Sequence, residues 1–425
     1  MQRHPHENTT GSDLPALVTP LPGPASTALV DVLARHECPA ITARRARRAA
    51  SLGVADTDPF VWETAVGANL WDADGNRLVD LTAGFGVATV GHRDPAVVAA
   101  AHAQVDRLLH AMGDAYPDVT RIRLLEALAA ACPDGLDHAI LGLSGADAVD
   151  AVVKTAVLAT GRDGVLVFEG SYHGLSLGTV PLQAYKASFS DPFRGITHPH
   201  VHVLPFGCDP ADVGALVQRE GIGLVLVEPI QGRGGIRVPE DGWLRRVHRE
   251  ARAHGALVAH DEIQCGLGRT GAVWAGDVTP DLLAVGKALG GGFPLSAAVG
   301  TSAAMGAWGA SKGEAIHTQT FLGHPVGCAA ALAVLGQLDT MTARCAERGA
   351  RLAGRLAAEG LTVQGRGLML GVVLPDAYGV HRRLLARGYL ALPAGMQGEV
   401  LALTPPSVLS DAQIDGFVEA LVEVA

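Results

Sequence analysis

The sequence predicts an α/β fold: a large domain with a mostly parallel sheet sandwiched by helices, followed by a smaller α+β domain. Three observations predict it. Helical stretches (AVVAAAHAQVDRLL, TRIRLLEALAAAC, DAVDAVVKTAVLAT) alternate with short continuous apolar runs (HAILGL, GVLVFEG, GLVLVEPI, GALVAHDEI, LLAVG). Such runs fit strands buried on both faces, because crossover helices cover both sides of a parallel sheet. The alternation ends near Thr320; a long helix, the strand GLMLGVVL, another helix and the short strand VLALTPP follow. Finally, 48% of the 425 residues are hydrophobic and 18% charged, which supplies a core and leaves little sign of disorder.

Taken in order, residues 1–24 are polar and proline-rich, ending in TPLPGP, and are expected to form a flexible arm or one ordered only by a partner subunit. Residues 25–80 are expected to join the small domain. They open with a helix (ALVDVLAR) and a basic stretch, RRARR, and continue into short strands that turn at Asp74-Gly75-Asn76. Residues 81–320 form the large domain and 321–425 the small one. The basic stretch reads as a solvated or subunit-facing surface, because the net charge of −10 argues against a nucleic-acid partner.

The six cysteines (Cys38, Cys132, Cys208, Cys265, Cys328, Cys345) stand singly, with no CxxC pair, so neither a zinc ribbon nor a disulfide framework is suggested. Reduced thiols in a cytoplasmic protein are expected. The N-terminus lacks the basic and apolar segments of a secretory signal. No apolar run reaches the roughly 18–20 residues that span a bilayer, so no membrane is expected. His198, His200 and His202 alternate along HPHVHV without nearby acids or cysteines, and read as strand residues rather than a metal site.

Chemistry concentrates at strand ends, where open α/β sheets bind ligands. Asp261 and Gln264, in HDEIQ, follow the strand ALVAH. A single acid there could merely cap a turn. Lys287 follows LLAVG and precedes three successive glycines, which allow close backbone approach. An isolated lysine of this kind is more often a surface residue. The pair on successive strand ends changes that reading: pyridoxal 5′-phosphate (PLP) needs a lysine for its aldehyde and an acid for its ring nitrogen. A phosphate site follows from Ser144-Gly145-Ala146, which opens a helix after a strand; free N–H groups and the helix dipole favour an anion there. An ordinary N-cap with Asp147 in the first turn fits the same residues. Gly266–Gly271 matches GxGxxG formally, but no strand immediately precedes it and no helix follows, so a dinucleotide fingerprint is rejected.

These motifs resemble those of the class III (omega-amino-acid type) PLP-dependent aminotransferases, the family of the 4-aminobutyrate and ornithine aminotransferases. The pattern D-E-[IV]-Q-x-G-x-G-R-T-G is matched from Asp261 to Gly271, and the lysine segment by GKALGGGFPLSA. SGADAV, EGSYHG, HTQTFLGHPVGCAAALAVL, the entry segment LWDADGNRLVDLTAGFGVATVGHRDP and the closing VLALTPP align in order, so the resemblance runs from about residue 55 to the C-terminus. It implies the PLP-dependent transferase fold type I. Lys287 would hold PLP as a Schiff base and then act as acid and base, Asp261 would pair with the ring nitrogen, and Gln264 with the ring hydroxyl. Tyr172 would stack on the ring, and Ser144, Gly145 and Ala146 would hold the phosphate. Thr320 would reach the phosphate of a neighbouring subunit, implying at least a homodimer with its site at the interface. Glu228, in VEPIQG, would be a supporting acid or only the anchor of the Pro229 turn.

Two positions depart from the commonest relatives. Arg233 stands where many have a pocket-gating glutamate, and Ala402 where many have an arginine for a substrate carboxylate. Either Arg233 is the relocated cation for that carboxylate or it is a solvent-facing loop residue. Phe85, in TAGFG, stands where relatives place a pocket wall. The expected activity is transfer of an amino group from an amino acid or amine to a 2-oxo acid or aldehyde. A racemase or epimerase of the same fold is the alternative, since it needs no 2-oxoglutarate site; a decarboxylating relative and a non-catalytic homologue rank below it.

Overall fold

The computed structural model describes residues 9–39, 47, 50, 59–310, 313 and 315–425; residues 1–8 and all of RRARR except Arg47 lie outside them. From Thr9 onward the expected flexible arm is instead fastened down. Ala16 and Arg77 exchange both backbone hydrogen bonds at 2.9 Å, Val18 and Thr19 donate to Asn76 Oδ1 at 2.7 and 2.9 Å, and Asp13 donates to Asn69 Oδ1 at 2.9 Å. The acceptors lie more than fifty residues away, so local composition gave no sign of them. Helix α1 (Pro24–His36) starts on proline, and the Asp74 carboxylate accepts the N–H groups of Ala25 and Ser26 at 2.6 and 2.8 Å, taking two otherwise orphan donors.

Strands β1 (Trp62–Val66), β2 (Asn69–Asp72) and β3 (Arg77–Asp80) form an antiparallel meander. Helices α2 (Pro95–Val105) and α3 (Val119–Ala131) follow, capped by Asp94 and Asp118. The large sheet then builds from β4 (Leu136–Gly142), β5 (Gly164–Phe168), β6 (Val201–Leu204), β7 (Ile222–Val227), β8 (Leu257–Asp261), β9 (Leu282–Val285) and β10 (Ser296–Thr301). Its order is β4-β10-β9-β8-β7-β5-β6. Only β10 runs against its neighbours; β9, β8, β7, β5 and β6 are mutually parallel.

The strand period explains the layers. Val165 and Val167 of β5 and Leu224 and Leu226 of β7 face helix α4 (Gly145–Thr160), joining Ala148, Val149 and Val152 in one buried cluster. Leu166, Phe168, Val225 and Val227, one residue out of phase, face helices α5 (Pro210–Glu220) and α6 (Trp243–Ala253) through Val213, Val217, Val247 and Ala251. Each such fully buried aliphatic side chain contributes about 1.5–3 kcal/mol.

Beyond the sheet come helices α7 (Pro325–Leu335) and α8 (Leu338–Ala358), strands β11 (Thr362–Arg366) and β12 (Met369–Val373), helix α9 (Ala377–Leu385), strands β13 (Tyr389–Leu390), β14 (Leu392–Ala394) and β15 (Val400–Leu403), and helix α10 (Asp411–Val424). β13 pairs in parallel with β3, while β11-β12-β15-β14 form a separate antiparallel sheet. Leu352, Leu370, Leu401 and Phe417 belong to the same buried cluster as Leu124, Leu283 and Val299, so the C-terminal part shares a core with the large sheet. No single helix among the described residues is long and apolar enough to cross a membrane.

Candidate active site

Parallel strands bring their carboxyl ends to one edge, and the predicted residues gather there. Asp261 ends β8, Glu228 directly follows β7, and Lys287 lies two residues past β9. Lys287 has φ +44°, a left-handed backbone that costs a side-chain-bearing residue about 1–2 kcal/mol. Strain of this kind persists only where the surroundings hold it, and it clusters at functional sites. Its Nζ donates to Gln264 Oε1 at 3.0 Å. Burial pushes the Lys287 amine below the ordinary lysine range, against the opposing pull of Asp261 and Glu228; Arg233 pushes the same way as burial.

Asp261 is buried. Its Oδ2 accepts from His173 Nδ1 at 2.7 Å and its Oδ1 from the Ile263 N–H at 3.1 Å. Because a carboxylate only accepts, the imidazole carries its proton on Nδ1. Glu228 does more than anchor the Pro229 turn. Its two oxygens accept from the Tyr172 N–H at 2.9 Å and the Gly232 N–H at 3.0 Å, tying together the loops that carry Tyr172 and Arg233. Burial raises its carboxyl above the ordinary range, while His173 opposes the rise.

Ser144 caps α4, its Oγ accepting from the Asp147 N–H at 3.2 Å, and the first N–H groups of that helix have no acceptor within it. A Cβ on Gly145 would come within 2.9 Å of the end of the Ile263 side chain, so glycine lets this helix start lie against the Asp261 loop without displacing Ile263. Gln319 Nε2 donates to Asp147 Oδ2 at 3.0 Å, and the neighbouring Thr320 is exposed.

A cavity opens beside Gln264, lined by Thr82, Phe85, Arg233, Leu392, Pro393 and Ala402 among others. Phe85 is 61% exposed and has φ +65°. Arg233 is half-buried rather than solvent-facing. Its guanidinium lies 5.3 Å from the Tyr172 ring centre and 5.5 Å from that of Tyr185, and its buried Nε has no hydrogen-bond partner.

Three residues of the site escaped the sequence reading. His173 directly follows Tyr172 inside EGSYHG, and that adjacency was the available signal. Tyr185 carried none. Arg269, in the GRTG that closes the Asp261 motif, is wholly buried and pairs with no carboxylate among the described residues; it donates to Thr89 Oγ1 at 2.8 Å and to the carbonyls of Leu368 and Pro405, fastening the motif to the chain that leaves β15. Burial pushes its guanidinium below the ordinary arginine range. Among the described residues no group of three or more histidine, cysteine or acidic side chains is placed to hold a metal; His200 Nδ1 instead meets Asp163 Oδ2 at 2.8 Å.

This donor set fits PLP: an amine held at Gln264, a buried acid fixed by His173, and a helix start opened by Gly145 for a dianion. The comparisons agree. The pattern described as Aminotransferase class-III matches residues 53–425. The acetylornithine aminotransferase of Methanopyrus kandleri is 36% identical over 370 residues, covering 84% of this chain and 92% of that one. The ornithine aminotransferase structure from Toxoplasma gondii superposes with a TM-score of 0.83 at 26% identity, over 95% of this chain and 96% of the other. A second structure of that enzyme, with PLP at partial occupancy in its active site, has a TM-score of 0.78 at 28% identity, over 86% and 89%. These relatives are named for amino transfer, which does not favour the racemase alternative. With its lysine, acid and glutamine on the strand ends of a mostly parallel sheet, the chain belongs to the class III aminotransferase family.

Proposed function

We propose that this cavity carries out PLP-dependent transfer of an amino group from an amino acid or amine to a 2-oxo acid or aldehyde. The observation that carries the reading is Lys287, strained into a left-handed backbone at a strand end with its amine on Gln264. PLP, when bound, supplies an electron sink for the carbanion at the amino-bearing carbon. The rest belongs to the chain. Lys287 would hold the cofactor through its amine and would serve as the acid and base that moves the proton of the reacting carbon, a role worth about 10²–10⁴ in rate. Its buried amine, pushed below the ordinary range, reaches the neutral form needed to accept that proton more readily.

Asp261 would face the ring nitrogen and favour its protonated form through a buried ion pair, and His173 fixes the carboxylate for that task. The N–H groups at Ser144–Ala146 would take the phosphate and the Tyr172 ring would cover the cofactor, while Glu228 holds the Tyr172 and Gly232 loops in place. Arg233, at the cavity wall, takes a substrate carboxylate, and Phe85 covers the mouth. Residues 81–320 act as the cofactor-binding domain and 321–425 as the small domain, which the segment 25–80 joins through the β3–β13 pairing. The working unit is a cytoplasmic homodimer whose partner's phosphate is reached by Thr320. In support, Leu109, Met112, Tyr116, Val119 and Phe321 expose large apolar side chains on the segments flanking that residue and α3.

The test uses the PLP-loaded protein without an acceptor, given candidate donors one at a time. A lasting change in the cofactor's absorbance, absent in Lys287→Ala, is expected for at least one donor. A spectrum that returns to its start while the donor loses optical purity would mean racemisation and overturn the reading.

A further inference from the structure

The cavity holds one cation and much apolar wall. Among its described lining residues only Arg233 is positively charged, and Phe85, Leu392, Pro393, Ala394 and Ala402 present carbon. Arg233 is also fixed. Its guanidinium sits between the Tyr172 and Tyr185 rings, its carbonyl accepts from the Gly395 N–H at 3.0 Å, and the Tyr185 hydroxyl donates to the Gly395 carbonyl at 2.9 Å. Two loops and two rings thus hold the fork in one direction. No carboxylate among the described residues pairs with it and its buried Nε lacks a partner, so the chain leaves this cation at the cavity wall without a counter-charge for a planar anion to supply.

Resting on the proposed role of Arg233, we infer that this enzyme takes monocarboxylic amino and oxo acids with apolar or uncharged chains, and selects against dicarboxylates. One carboxylate satisfies the one fork. A second would lie along the carbon of Leu392, Pro393 and Ala402, with no cation among the described lining residues to meet it, which is costly for an ionised group that gives up water there. Specificity of this kind comes as much from what the pocket refuses as from what it grips.

Pentanoate and glutarate have the same five-carbon chain and differ by one carboxylate. Calorimetric titration of the PLP-loaded enzyme is expected to show pentanoate binding about tenfold or more tightly than glutarate. Arg233→Ala is expected to weaken pentanoate by about tenfold or more. Ala402→Arg, which adds a second cation to the wall, is expected to bring glutarate to parity or above. Glutarate binding to the wild type as tightly as pentanoate, or neither acid binding, would overturn the inference; so would unchanged pentanoate affinity in Arg233→Ala. Donor-driven absorbance change on the same samples reads amino transfer separately. Where that change occurs but glutarate is preferred, only this inference fails. Where the acid preference holds but no donor changes the spectrum, the proposed reaction fails and the pocket assignment stands.

Discussion

His173 Nδ1 donates to Asp261 Oδ2 across 2.7 Å, with both side chains shut away from solvent. The other Asp261 oxygen is held by the Ile263 N–H, so the carboxylate has one orientation. His173→Phe keeps a ring in the buried space and removes the donor. Leaving a buried acceptor unsatisfied costs about 1–3 kcal/mol, so turnover is expected to fall roughly 5- to 150-fold and PLP to be lost more readily on dilution. Cofactor absorbance during dilution, read beside the rate, checks this; unchanged retention and rate would remove His173 from the site.

Arg233→Lys keeps the charge but replaces a planar fork with a point charge that cannot lie between the Tyr172 and Tyr185 rings in the same way. The Michaelis constant for acidic substrates is expected to rise by about tenfold with a smaller change in kcat, as for a group that binds ground state and transition state alike. Steady-state kinetics decide it. An unchanged constant would return Arg233 to the role of a loop residue.

The left-handed backbone at Lys287 has a consequence that activity does not report. In Lys287→Gly the φ of +44° is relaxed, whereas in Lys287→Ala it remains strained. The glycine variant is therefore expected to be more stable than the alanine variant by about 1 kcal/mol, despite glycine's larger unfolded-state entropy. Urea unfolding of the two cofactor-free proteins measures the difference. Alanine equal to or above glycine would contradict a strained position.

Below the site, His248 Nε2 and His260 Nε2 lie 2.8 Å apart, both buried. Burial pushes the His248 imidazole down to about 3 and His260 well below its ordinary range. The unfolded chain therefore takes up a proton near pH 6.5 that the folded chain refuses, and the stability from these groups falls as pH drops from about 6.5 toward 3. Glu262 works in the opposite sense. Burial raises it to about 7, so the folded chain binds a proton first and stability rises as pH falls from 7 toward 4.5. The two trends offset in wild type, and His248→Phe separates them. Its stability relative to wild type is expected to improve below pH 6.5 by up to about 1.4 kcal/mol per pH unit. Urea unfolding at pH 8, 6.5 and 5 tests the trend; a constant gap would show that His248 is not held neutral.

Asp261, Lys287 and the Ser144 turn were legible because each sits where a regular element stops, and apolar runs mark such ends in one dimension. The partners of those residues were not. His173 meets Asp261 across 88 positions, Tyr185 meets Gly395 across 210, and Arg269 meets Thr89 across 180. The docking of residues 9–19 on Asn69 and Asn76, and the reversed direction of β10, were hidden for the same reason: both are decided by pairing with distant strands.

By itself the sequence determined the α/β alternation, the strand ends that bear Lys287, Asp261 and the Ser144 turn, and the family these motifs resemble, because periodicity and local order are properties of neighbours along the chain. Tertiary structure alone decided that Arg233 faces the cavity between two tyrosine rings, that Glu228 joins two loops, and that Asp261 is held by His173. Those relationships depend on packing and on burial, which bring distant side chains within hydrogen-bond reach and give each charge its surroundings.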